Sequence, residues 1–253
     1  MPSPRREPVS RRERPSKSAL SRRVIVDAAL KLIRTPGDQG LTMRRLAAEL
    51  DTGAASLYVY FKDTDELNGV VLDELLGALD FGRGRKPWRK RLVLLLSSYA
   101  ELLTAHPTLA KTALFTRPSG ANSVRLWEAL LSLLGEGGIG GRDAAWAADL
   151  LLQRATATAA EQGVRLQDPN TAAADAVVAE VLAGLSPSEY PHLAALYEEM
   201  LSGTPTSRLV WSVEVLIDGI APKLQVAERP QLSAAPRAPG RTKAQGGHVR
   251  RRA

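Results

Sequence analysis

The sequence predicts an all-α protein: an N-terminal three-helix helix-turn-helix domain, a connecting helix and a larger C-terminal helical bundle. Ala and Leu dominate the composition, and both favour helix. Aromatics are only 5% of the chain, and few runs of Val, Ile, Thr and aromatics suggest strands. Apolar residues recur at helical spacing in segment after segment of the 253 residues.

Residues before about Ser18 are rich in Arg, Pro and Ser and lack a core-forming pattern, so 1–18 reads as a disordered basic arm. Ile25, Ala28, Ala29 and Leu32 mark the buried face of a first helix from Arg22 to Arg34, which Pro36 and Gly37 stop. A short helix over Thr42–Leu50 turns inward Leu46, Ala47 and Leu50. Asp51, Thr52 and Gly53 make a tight turn, and a second short helix follows from Ala54 to Tyr60. Asp63 then caps a connecting helix to Leu79, with Glu66 three residues on completing a capping-box pattern.

Its apolar stripe is Val70, Val71, Leu75, Leu76 and Leu79. The Gly-rich basic break at Phe81–Pro87 places a domain boundary, giving 19–80 to the first domain and 81–224 to the second. Further helices are expected over Trp88–His106, from Pro107 to near Arg117, and over Asn122–Leu134. Beyond them come Asp143–Gly163, Asn170–Leu185, Glu189–Leu201 and Pro205–Leu224. Residues 225–253 read as a disordered basic tail.

The net charge of +7 is unevenly spread. Eight Lys or Arg through Arg23, against Glu7 and Glu13, put +6 at the N-terminus. Seven against Glu228 put another +6 beyond Gln225, so the remainder of the chain is net acidic. A basic arm beside a DNA-reading domain adds phosphate contacts, and a solvated tail carries the same composition. There is no cysteine, hence no disulfide and no thiolate metal site. The N-terminus lacks a secretory apolar segment, and the longest apolar run, Leu92–Leu96, is too short for a bilayer span. The expectation is a cytoplasmic protein with no membrane partner.

Leu41–Lys62 carries the chemistry. Two short helices joined by a tight turn present the second helix to the major groove of DNA. Leu46, Leu50, Leu57 and Phe61 fix the angle between them, leaving Thr42, Arg44, Ser56, Tyr58, Tyr60 and Lys62 outside. Hydroxyls and cations suit phosphates, and the fork of Arg44 also matches a guanine edge. Periodicity alone describes an ordinary helical hairpin equally well.

The ordered motifs VIVDAALKLI, GLTMRRLAAEL, S-L-Y-x-Y-F-K at Ser56–Lys62, and DELNGVVLDEL resemble the DNA-binding domain of TetR-type (tetracycline repressor-like) regulators over roughly 60 residues from Ser21. The resemblance implies DNA contacts from Thr42, Arg44, Gly53, Ala54, Ala55, Ser56, Tyr58, Tyr60 and Lys62, with Tyr58 and Lys62 on phosphates. Gly53, Ala54 and Ala55 are smaller than the residues relatives often carry, and Thr64 stands where many have a cation. Base reading is then shared with Arg44, DNA shape and the arm.

The C-terminal region is more weakly similar to the tetracycline repressor's regulatory domain, through PWRKRLVLLLSSYAELLTAHPTLAK and the FTRP of Phe115–Pro118. That subgroup holds a magnesium–drug complex with a histidine three residues before T-R-P, where this chain has Ala113. His106, His192 and His248 are scattered, so no metal and no cofactor are expected. A bundle cavity for a small-molecule effector is expected instead, with Tyr99, Leu103, Phe115, Arg117, Trp127, Leu131 and Trp146 as candidate lining. The Ala-rich helix around Ala144–Ala160 and the last helix are candidates for a homodimer interface, and a two-fold dimer reads a palindromic operator.

Other patterns carry less. Gly135, Gly137 and Gly140 satisfy G-x-G-x-x-G but follow a Leu-rich helix, so they read as an inter-helix loop. The carboxylate pairs Asp73-Glu74 and Glu198-Glu199 read as solvated helix faces, and no residue set supports an enzyme. The leading expectation is a ligand-released repressor. A DNA-binding protein without a ligand and a ligand carrier that has lost DNA binding remain open beside it.

Overall fold

The computed structural model of the chain describes residues 20–34, 40–116 and 119–221. The basic arm, the basic tail, Pro36, Gly37 and Arg117 lie outside them.

Ser21 opens the first helix, α1 (Arg22–Ile33): its hydroxyl accepts from the Val24 amide at 3.3 Å, satisfying one of the free donors of the first turn. α1 buries Ile25, Val26, Ala29 and Ile33. Ala28 and Leu32, expected inward, are only half-buried, because the stripe through Val26 and Ile33 faces the next helices. Thr42 caps α2 (Met43–Glu49) by accepting from the Arg45 amide at 3.2 Å. Leu50, also expected inward, is half-buried at the end of α2.

The turn to α3 (Ala54–Leu57) has an unexpected hinge. Asp51, not Gly53, adopts the left-handed conformation, with φ +47°. Gly53 is extended at φ −81°, and a Cβ there would meet nothing within 4 Å. α3 has four residues, three fewer than expected. The backbone nevertheless continues as a turn, with the Tyr60 and Phe61 amides both donating to the Leu57 carbonyl at 2.9 and 3.0 Å. Leu46, Leu57 and Phe61 are buried beneath the pair. Each such side chain contributes about 1.5–3 kcal/mol of apolar burial.

Asp63 caps α4 (Thr64–Leu76), its carboxylate accepting from the Glu66 amide at 2.8 Å. The reciprocal half of the expected capping box is absent: Glu66 reaches past Asp63 to accept from the Lys62 amide at 2.7 Å. α4 buries Leu67, Asn68, Val71, Leu72, Leu75 and Leu76, while Val70 and Leu79 are half-buried. The loop to the next helix passes Phe81, at φ +51° with the Arg125 guanidinium 4.3 Å above its ring.

The remaining elements are α5 (Trp88–Ala105), α6 (Pro107–Phe115), α7 (Ala121–Glu136), α8 (Gly141–Gln167), α9 (Thr171–Ala183), α10 (Pro191–Leu201) and α11 (Pro205–Ile220). Pro107 turns the chain through 116° between α5 and α6. α8 has 27 residues and runs past both of its expected ends. It is the central strut, packed by α5, α6, α7 and α11. Small residues line that contact: Ala147, Ala148, Ala155, Ala159 and Gly163 are buried, and a Cβ at Gly163 would come within 2.9 Å of Pro107.

The glycine cluster is an inter-helix loop, with Gly135 still in α7 and Gly137 at its end, where a Cβ would strike the Trp88 ring at 2.4 Å. α9 and α10 pack on each other and contain no buried residue. Among the described residues no single helix is long and apolar enough to cross a membrane.

Candidate nucleic-acid interface and cavity

α2, α3 and the turn after α3 carry the exposed side chains of the reading segment. Thr42, Arg44, Gly53, Ala55, Tyr58 and Lys62 are exposed, and Ala54 and Ser56 are half-buried. Arg44 and the Lys62 ammonium make no hydrogen bond or ion pair within the described residues, so both are available to an external anion. The Thr42 hydroxyl already caps α2 and keeps its proton for another acceptor.

Tyr60 departs from expectation. It is half-buried, and its hydroxyl donates to the Leu20 carbonyl at 2.7 Å, because a residue three past Leu57 turns back towards the start of α1.

A clasp joined to this segment was not legible in advance. Arg22, grouped by composition with the basic arm, donates to the Tyr60 carbonyl at 2.6 Å and to Glu66 at 3.0 Å, and lies 4.2 Å over the Phe61 ring. It ties the start of α1 to the end of the reading segment and the first turn of α4. The Lys62 amide and then the Arg22 guanidinium hold the Glu66 carboxyl below the usual carboxylate range. The sequence signal was the S-R-R start of α1, where Ser21 as cap places Arg22 inside the domain.

The second feature is a cavity of about 480 Å³ walled by α5, α6, α7 and α8. Tyr99, Phe115 and Trp127 are among its lining residues. Leu103 is not, being wholly buried in the core. Leu131 also is not, and is half-buried against that core. Trp146 is 60% exposed on α8, with Arg142 4.8 Å over its ring.

The polar lining was missed: Asp149, Gln153 and Thr156 project from α8, with Ala113 and Thr116 opposite. Their spacing on an Ala- and Leu-rich helix, i, i+4 and i+7, was the available signal. Thr156 and the Tyr99 hydroxyl share a hydrogen bond at 2.8 Å, and burial pushes the Tyr99 phenol above its ordinary value. Ala113 carries no metal-binding atom into this space.

Two joints tie the cavity walls to α4. Asn68 donates to the Thr112 hydroxyl of α6 at 3.3 Å, buried between the helices. Asp73 caps α7: its carboxylate accepts from the Asn122 amide at 3.2 Å and from the Ser123 amide and hydroxyl at 2.7 and 2.6 Å. Gly120 is what lets it approach, since a Cβ there would lie 2.1 Å from the Asp73 carboxyl carbon. Asp73, read from sequence as a solvated carboxylate, is therefore half-buried and committed.

Residues 25–68 match the family described as bacterial regulatory proteins, tetR family, and residues 82–224 match the tetracyclin repressor-like C-terminal domain. The chain belongs to the tetR family. This establishes it as a transcriptional regulator of that family, with the helix-turn-helix expected from its sequence.

Among solved structures, the transcription regulator SCO7704 from Streptomyces coelicolor is 45% identical, with a TM-score of 0.68 over 84% of this chain and 100% of that one. ActR from the same organism is 31% identical, with a TM-score of 0.71 over 81% of this chain and 98% of its own. Crystal structures of ActR in complex with actinorhodin and with (S)-DNPA are also similar, with TM-scores of 0.70 and 0.69. A transcriptional regulator from Saccharopolyspora erythraea is 31% identical over 51% of this chain and 55% of its own length. The chain spans about half the length of the curated relatives it matches.

Proposed function

We propose that the protein is a homodimeric repressor that holds a palindromic operator and releases it when a small organic effector enters the α5–α8 cavity. The observation that carries this reading is the physical connection of two separate sites. Exposed hydroxyls and cations on one side and a partly open cavity of mixed apolar and polar lining on the other are joined through α4.

The division between reading head and effector domain falls at the Phe81–Pro87 loop. Thr42, Arg44, Tyr58 and Lys62 supply the hydroxyl and cationic contacts, the last two on phosphates. Gly53, Ala54, Ala55 and Ser56 stand close to the base edges, and Tyr60 contributes through its backbone turn.

Complexes of ActR with actinorhodin and (S)-DNPA support a small organic effector, and Trp127, Phe115, Gln153 and Asp149 line the space that would receive it here. Dimerisation uses α8 and α11, which pack together within the chain, with Arg154 donating to Ser212 at 3.1 Å. The same helices leave Leu150, Trp211 and Val215 exposed for a second copy. Such an effector must favour the non-binding state, which it does by moving the α6 and α7 walls and with them Asn68 and Asp73.

The test is a gel-shift titration with DNA upstream of the protein's own gene, followed by a screen for compounds that release it. Lys62→Ala is expected to weaken binding about tenfold at low salt and to reduce the salt slope by about one. No retarded complex with the wild-type protein, or an unchanged slope in the variant, overturns the reading.

A further inference from the structure

The exposed side chains of the reading segment include an apolar one that the phosphate-holding residues leave unexplained. Along α3 and the turn that follows it, Ala55, Tyr58, Val59 and Lys62 are exposed, whereas Leu57 and Phe61 between them are buried. Val59 is 80% exposed, and Tyr58 beside it is 53% exposed. A lone exposed Val is ordinary on a protein surface. This one lies between Tyr58 and Lys62 in the reading segment, both of them exposed as well. The base-reading end of that segment is otherwise Gly53, Ala54 and Ala55, with no side-chain donor or acceptor among them.

In the major groove the group that an apolar side chain can recognise is the thymine 5-methyl, which distinguishes a T·A pair by van der Waals contact and water release. A branched aliphatic side chain suits that contact and offers nothing to a cytosine amine or a guanine carbonyl. Its χ1 is stiff, so little entropy is lost on docking. Smaller neighbours at Ala54 and Ala55 let the segment approach the groove floor, which a longer polar residue at those positions would hold off.

Resting on the operator-binding reading above, we infer that Val59 is a specificity-determining residue that selects a thymine methyl in each half-site. Tyr58 and Lys62 flank it on the backbone.

The experiment uses full-length protein and a duplex that the wild type enriches from a random-sequence pool. Each thymine is replaced in turn by deoxyuridine, which removes only the methyl group. Wild type is expected to lose about fourfold affinity at one thymine per half-site, the value of one buried methyl. Val59→Ala, which removes the contact from both half-sites of the dimer, is expected to bind the thymine duplex about sixteenfold more weakly and to be indifferent to that replacement. Thermal unfolding of the variant should match wild type, because the side chain is solvent-facing.

Equal sensitivity of wild type and variant at every thymine overturns the assignment while leaving DNA binding intact. So does a wild type indifferent to deoxyuridine throughout. Enrichment of no sequence by the wild type overturns the operator reading itself.

Discussion

The reading head and the effector bundle are built on opposite plans. In the head the functional side chains point outward from a small core, and the polar network behind them, Arg22–Tyr60–Glu66, is largely solvent-exposed. In the bundle they point inward, into a gap between four helices, and its working polar groups, Tyr99 and Thr156, are buried. Exposed polar contacts are cheap to break and buried ones are costly. Contacts in the head can therefore rearrange at little cost, whereas those in the bundle hold one arrangement. α4 belongs to both, with an exposed capped start and a buried, doubly clamped remainder.

The sharpest way to break this contrast is at the Asp73 clamp. Asp73→Ala removes a cap and three hydrogen bonds to α7 and is expected to cost about 2–3 kcal/mol in urea unfolding. Gly120→Ala should act in the same direction by driving a methyl group into the carboxylate. A loss under about 0.5 kcal/mol in both would mean that α4 and α7 are held by apolar packing alone.

Next in size is Tyr99→Phe, which strands the Thr156 hydroxyl at the cavity wall. A loss of about 1 kcal/mol is expected in the same assay.

In the head, effects are smaller and depend on pH. Glu66 has a lowered pKa, so the folded state favours its charged form. The stability it contributes is fully present above the unfolded-state value and lost as pH falls through the lowered one. Wild type should thus lose more stability than Glu66→Gln on acidification below about pH 4. Parallel stability–pH curves for the two proteins would show that the clasp is not coupled to folding.

The smallest change runs the other way. Gly53→Ser supplies the missing hydroxyl cap of α3 in an extended backbone with open space, and should stabilise by a few tenths of a kcal/mol in thermal unfolding.

The head was the more legible half. Asp63 caps α4 as its position before an apolar-periodic run implied, and Ser21 and Thr42, which the sequence reading gave no capping role, do the same for α1 and α2. Leu46, Leu57 and Phe61 are buried as their spacing required. What escaped were side chains acting over distance: Arg22 reaches 44 residues along the chain to Glu66, and Tyr60 reaches back 40 to Leu20. In the bundle, helix positions were readable but the cavity was not. Leu103, Phe115 and Trp146 share an apolar character, yet they end respectively in the core, at the cavity edge and on the outer face of α8.

The sequence by itself determined the all-α class, the helix order and the Asp63 cap, because these follow from local spacings, and its ordered motifs carried the resemblance to the tetR family. Only the tertiary structure decided that Arg22 belongs to the head, that Asp73 clamps α7 against α4, and that Asp149, Gln153 and Thr156 turn into one space with Tyr99. Helix periodicity states which face of a helix is apolar. It does not state which other helix that face will meet, nor where two faces will fail to close.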